Sequence, residues 1–169
     1  TLDKWESKFK WLSLPLWRLQ HLMRKNSKVQ AKKNIEAHYD LGNKLYTRFL
    51  DNSMMYSAAI YPDPNSSLSE AQFHKLDTIC KKLQLNSDDH LLEIGTGWGG
   101  LAIHAAKYYN CKVTTTTISE EQYAYAAEWI KREQLSHRIQ LLKQDYRNLT
   151  GSYSKLVSVE MIEAVGKDY

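Results

Sequence analysis

The segment Leu91-Leu-Glu-Ile94, followed at once by Gly95-Thr-Gly-Trp-Gly-Gly100, constrains this chain most. A short apolar run bounded by glycines predicts a buried strand ending in a tight turn. Glycines at 95, 97 and 99 lack Cβ atoms, so the backbone there can turn sharply and approach a ligand closely. Leu101 to Tyr109 then reads as a helix, Lys112–Thr117 as a β-branched strand, and Ser119 to about Leu135 as a second helix. Ile139–Leu142 and Lys155–Val159 read as a third and a fourth strand. Strands separated by single helices predict parallel βαβ units, an α/β fold of Rossmann-like type. Four strands make an unfinished sheet, so the chain is expected to be a fragment.

The charge is unevenly spread. Residues 1–33 carry nine Lys/Arg against Asp3 and Glu6, a balance of +7 within a chain of net +4, which leaves −3 for the remainder. Trp5, Phe9, Leu12, Leu16 and Leu19 share one helical face ringed by lysines, and Pro15 breaks it into two short helices. Such a segment either packs on the domain or lies on an anionic membrane surface. The expected divisions are this basic segment at 1–33, a helical cap and cofactor-closing segment at 34–88, and the first part of the Rossmann-like domain at 89–169. In the cap, Pro62-Asp-Pro64 opens a loop, and Ser67 with Glu70 forms a capping box. The helix behind it is expected to turn Phe73, Leu76, Ile79 and Leu83 inward and to end near Asn86.

Composition excludes some classes. Hydrophobic residues at 43% and charged residues at 25% are ordinary for a soluble globular chain. No run approaches the roughly 20 apolar residues of a membrane span, and no secretory leader is evident. Cys80 and Cys111 have no metal or redox spacing, and His38, His74 and His104 share no ligand spacing. The histidines read as surface or hydrogen-bonding residues, no metal is expected, and a cytoplasmic location follows. The basic segment is where nucleic acid or membrane should be sought, and membrane is the expected partner.

Gly95, Gly97 and Gly100 also satisfy the dinucleotide pattern G-x-G-x-x-G. Against NAD stands the end of the second strand, Thr117-Ile-Ser119, where an NAD site wants a ribose-binding acid. Glu120 and Glu121 fall inside the next helix, and Glu93 sits two residues before the first glycine. Each candidate also has a plain structural explanation. Gln122 completes a capping box with Ser119, Thr117 is one more β-branched strand residue, and Tyr56 is core.

Six ordered blocks decide among these. His38-Tyr-Asp-Leu-Gly-Asn43, Met55-Tyr-Ser57, Leu92 to Leu101, Thr117-Ile-Ser-Glu-Glu-Gln122, Gln144-Asp-Tyr-Arg147 and Ser158-Val-Glu-Met-Ile-Glu-Ala-Val-Gly166 resemble the motif set of cyclopropane-fatty-acyl-phospholipid synthases. These are relatives of the mycolic acid cyclopropane synthases. The resemblance implies a Rossmann-like methyltransferase sheet and S-adenosylmethionine as cofactor. It implies that Tyr56 and Ser57 close over the methionine end and that Gly95 and Gly97 lie under the cofactor. Thr117 and Gln122 are implied to hold the ribose, and Asp145 and Tyr146 the adenine.

The reaction implied is transfer of a methyl or methylene group to a cis double bond of an unsaturated phospholipid in a membrane. Bicarbonate, held by Glu163 as the catalytic carboxylate, is implied as the base. Two departures stand near the bicarbonate end: Ala58 where many relatives have cysteine, and Ala164 where many have histidine. A methyl-branching lipid methyltransferase without ring closure, or a non-catalytic lipid- or cofactor-binding module, remain as alternatives. The fragment alone is expected to be inactive. Oligomeric state is open.

Overall fold

The computed structural model describes residues 43–161. The basic segment at 1–33, residues 38–42 of the His38 block, Glu163 and Ala164 lie outside the described residues. A short helix α1 (Asn43–Tyr46) precedes a loop and α2 (Leu68–Lys82). The alternating part follows: β1 (His90–Ile94), α3 (Gly100–Tyr108), β2 (Lys112–Thr117), α4 (Glu120–Arg132), β3 (Ile139–Lys143), a 3-10 turn (Tyr146–Asn148) and β4 (Lys155–Val157). The strands form one parallel sheet in the order β3-β2-β1-β4, with Leu92 opposite both Thr114 and Leu156. This is the α/β, Rossmann-like sheet that the alternation predicts.

The core is Leu91, Leu101, Val113, Cys80 and Cys111 with the alanines of α3, all buried. Strand β2 buries four successive threonines, which is tolerable because every hydroxyl has a partner. Thr114 bonds His90, Thr115 donates to Glu93, Thr116 donates to the Gln144 carbonyl, and Thr117 donates to Gln122. Gly100, first residue of α3, is where the chain before α2 presses closest. A Cβ there would meet the Ser53 carbonyl oxygen at 2.3 Å.

Several elements differ from expectation. The Ser67–Glu70 capping box forms, but α2 ends at Lys82 and α4 at Arg132 rather than near Asn86 and Leu135. Each helix stops at a glutamine in left-handed conformation, Gln84 (φ 51°) and Gln134 (φ 59°). Leu85 then bonds the Cys80 carbonyl and Leu135 the Ile130 carbonyl, so the leucine after each glutamine tucks into the core. Phe73 does not face inward: it is 47% exposed, lying edge-on to His104 and Tyr108. The buried face of α2 is instead Ala71, Gln72, Lys75, Leu76 and Cys80, because Gln72 and Lys75 bond the chain that passes over them.

His104 is not a surface histidine, and its Nε2 stands 4.0 Å from Asp77 Oδ1. It is 4% exposed, its Nε2 takes no hydrogen bond among the described residues, and burial pushes its pKa down to about 4. Strand β4 ends at Val157 rather than Val159, since the Ser158 hydroxyl donates to the Ile94 carbonyl and takes over that rung of the ladder.

Candidate active site

Strand order reverses beside β1: the chain steps from β1 to β2 to β3 on one side and returns to β4 on the other. Open α/β sheets hold ligands in the crevice at such a point, beyond the carboxyl ends of the strands. A cleft of about 200 Å³ lies there. Its floor is the turn after β1, one wall is the ends of β2 and β3, another is the end of β4, and the loop before α2 closes over it.

Tyr56, Ser57, Gly95, Gly97, Thr117, Gln122, Asp145 and Tyr146 all line this one cleft. The structure therefore brings together every residue singled out for the cofactor, from four separate segments. Gly97 has φ 53°, and a Cβ on it would meet nothing within 4 Å, so the turn leaves open room above itself.

Ser119 caps α4 by accepting from the Gln122 N–H, but the Gln122 side chain does not return to the Ser119 backbone. Its Oε1 accepts from Thr117 Oγ1 at 2.9 Å, and Thr117 Oγ1 in turn accepts from the Ser119 N–H. The capping box is thus half made, because threonine has taken the glutamine. Tyr56 is not core: it is 45% exposed at the mouth, with its ring edge-on to Tyr46 and Trp98. Trp98 is buried below it and donates from Nε1 to Asn43 at 2.7 Å. Asp145 accepts from Arg147 Nε and Nη2 in a two-pronged pair and from the Arg147 N–H, so its carboxylate is set by that arginine.

Two residues of the cleft region, Lys75 and Glu160, had no assigned role in the sequence, and a third, Glu93, was marked only as the acid before the first glycine. Glu93 is 4% exposed and accepts from Thr115 Oγ1 at 2.6 Å. Burial outweighs that bond and pushes its pKa up to about 8. Lys75 is 4% exposed, held down in pKa by burial, and donates to both the Ser57 hydroxyl and the Ser57 carbonyl. Glu160 lines the cleft at the end of β4 and accepts from the Ala58 N–H. The signal for Lys75 was its spacing, three residues after Gln72 on the face of α2 that carries Leu76. Glu160 stands inside a block read only for its resemblance.

Comparison with known proteins places this geometry among relatives. The family described as mycolic acid cyclopropane synthetase matches residues 26–169. A probable fatty acid methyltransferase of Pseudomonas putida is 42% identical, over 85% of this chain and 37% of its own length. The cyclopropane-fatty-acyl-phospholipid synthase of Escherichia coli K12 is 44% identical, over 83% of this chain and 37% of its own. Among solved structures, mycolic acid cyclopropane synthase CmaA1 complexed with SAH and CTAB superposes with a TM-score of 0.75 at 28% identity. That match covers 78% of this chain and 46% of the other. The chain spans a little over a third of the length of these two curated relatives.

Proposed function

Because the chain belongs to the mycolic acid cyclopropane synthetase family, we propose that the protein carrying it methylates the double bond of a lipid acyl chain, with S-adenosylmethionine as donor. The observation that carries this reading is the single cleft at the strand-order reversal, which gathers a glycine turn, a hydroxyl–amide pair and an aromatic lid. The residues fit the donor. Open room above Gly97 admits a flat ligand close to the backbone. Thr117 and Gln122 offer hydrogen bonds to ribose hydroxyls without adding negative charge.

When bound, the donor supplies a methyl group on a sulfonium centre. The remaining work falls to the chain. Thr117 and Gln122 hold the ribose end, and Asp145 and Tyr146 border the adenine end. Tyr56 and Ser57, steadied by Lys75, lie over the methionine end and keep water from the reacting carbons. An alkene is a weak nucleophile, so most of the acceleration must come from holding it in line with the methyl group. Methylation leaves a cation on the acyl chain, and a nearby aromatic face such as that of Tyr56 stabilises it.

A proton must then leave if a cyclopropane is to form. The resemblance gives this step to a bicarbonate held by Glu163, outside the described residues, and the reading of methyl transfer does not depend on it. Ala58 beside the lid favours a second product, a methyl branch without a ring. No described helix is long and apolar enough to cross a membrane, and on this reading the lipid is reached from the membrane surface.

The test is incubation of the full-length protein with an unsaturated phospholipid and labelled donor, followed by structural analysis of the acyl product. A labelled ring or branch is expected. Label that never enters lipid, with cofactor bound, would leave only the non-catalytic binding module.

A further inference from the structure

Lysines are seldom buried, because an ammonium taken out of water loses its hydration. Lys75 is buried all the same, at 4% exposure in the middle of α2. Its Nζ donates to the Ser57 hydroxyl at 2.5 Å and to the Ser57 carbonyl at 3.4 Å. Almost one turn earlier on the same face, Gln72 Nε2 donates to the same carbonyl at 2.9 Å and to the Met55 carbonyl at 3.4 Å. The lid is also held from a second side, where Glu160, left-handed at φ 48°, accepts from the Ala58 N–H. The backbone of the lid thus has anchors other than Lys75. What Lys75 alone supplies is the bond to the Ser57 hydroxyl.

That bond has a direction. Burial weakens the hold of Lys75 on its proton, while the carboxylates of Glu160 and Asp51 attract it and favour the ammonium. An ammonium has three donors and no lone pair, whereas a hydroxyl has one hydrogen and also accepts. Lys75 therefore fills a lone pair of Ser57 and cannot take its hydrogen. Gln72 likewise meets the Ser57 backbone through its N–H group. The hydroxyl hydrogen is turned away from α2, and Ser57 is a residue of the cleft wall. Accepting from a cation also polarises the hydroxyl and makes it a stronger donor. An O–H of this kind, backed by a positive charge, suits an anion.

We propose that Lys75 is a positioning residue for cofactor recognition, one that fixes Ser57 as a hydrogen-bond donor to the α-carboxylate of S-adenosylmethionine. The proposal rests on the cofactor reading above, which sets Ser57 at the methionine end. That end carries one carboxylate and one ammonium. A hydroxyl free to rotate serves either group, donating to the first or accepting from the second. With Lys75 behind it, Ser57 serves the carboxylate. Lys75 touches no ligand and acts only through Ser57, with its charge one hydrogen bond further from the anion.

The experiment is calorimetry on the full-length protein with two ligands, S-adenosylhomocysteine and its decarboxylated analogue, with melting temperature as a check on folding. The parent is expected to prefer the carboxylate-bearing ligand by roughly 10–100-fold. Lys75→Met keeps the length of the side chain and leaves the bonds of Gln72 to the lid in place, so melting stays near the parent. Its preference should shrink by roughly tenfold, with the decarboxylated analogue bound as tightly as by the parent. Lys75→Gln can take the hydroxyl hydrogen as well as donate, so it frees the direction of the bond. It guards against a misfolded methionine variant and should narrow the preference in the same sense. Ser57→Ala should remove the preference, and adding Lys75→Met to it should change nothing more. A parent that binds both ligands alike, a Lys75 variant with the parental preference, or a loss shared equally by both ligands overturns the proposal. A parent that binds neither ligand overturns the cofactor reading as well, and that result is visible before any variant is made.

Discussion

Thr117 and Gln122 face each other across the end of β2, tied by a 2.9 Å hydrogen bond. Thr117→Val and Gln122→Ala should each weaken cofactor binding by about 0.5–1.5 kcal/mol. The double variant should lose less than the sum, because each partner orients the other. Calorimetry with S-adenosylhomocysteine measures this, and unchanged affinity or preferred binding of NAD would remove the ribose assignment. Glu93 gives a pH signature. Its pKa is raised in the folded protein from 4.5 to about 8, so the native state keeps a proton that the unfolded chain releases. The stability it contributes is fully present below its unfolded pKa and is lost as pH rises through the folded one. Melting temperature of the cofactor-free protein should therefore fall between about pH 5 and pH 8, and Glu93→Gln should flatten that fall; an unchanged slope would assign it to other groups. Thr117 and Gln122 are legible in sequence because a strand end and a missing acid mark them. Glu160 is not, since no periodicity announces a left-handed backbone or a bond to a residue as remote as Ala58.

Among the elements, strands and helices are legible because apolar period and β-branched runs decide them, and β1, β2 and β3 begin or end within a residue of expectation. Helix ends are less so. Sequence reasoning looks for glycine or asparagine after the last turn, whereas α2 and α4 stop at Gln84 and Gln134. The stop comes from the following leucine, whose burial turns the chain back, and that requirement is visible only once the core exists. Both glutamines are exposed, so little is lost by removing their side chains. Gln84→Gly and Gln134→Gly should each stabilise the fold by roughly 0.5–1 kcal/mol, the left-handed penalty less the entropy of glycine. Denaturant midpoints would show it, and a lower midpoint would mean the side chains hold the caps. The buried face of α2 differs from its apolar period for a related reason. Phe73 lost the inner position to Gln72 and Lys75, polar residues that bury because the lid offers them oxygens.

For the molecule as a whole, a parallel sheet is legible from strand–helix alternation, whereas the order β3-β2-β1-β4, which sets the position of the cleft, is not, since only a 3-10 turn joins β3 to β4. What pattern could not give is how the cap sits on the sheet, because that contact joins segments with no shared period. The basic segment at 1–33 lies outside the described residues, and its role is a proposal: it brings the protein to anionic lipid, at about 1 kcal/mol per Lys or Arg near such a surface. Vesicle co-sedimentation of the full-length protein should weaken on deleting residues 1–33 or raising salt; equal binding by both forms at all salt levels would exclude the role. The bond between Ala58 and Glu160 spans 102 positions of chain. A ribosome adds roughly 5–20 residues each second, so Glu160 is made roughly 5–20 s after the residue it anchors. For that interval the nascent chain carries Tyr56, Ile60 and Tyr61 on a flap with its last strut still unmade. The cleft becomes whole only when synthesis has passed the end of β4.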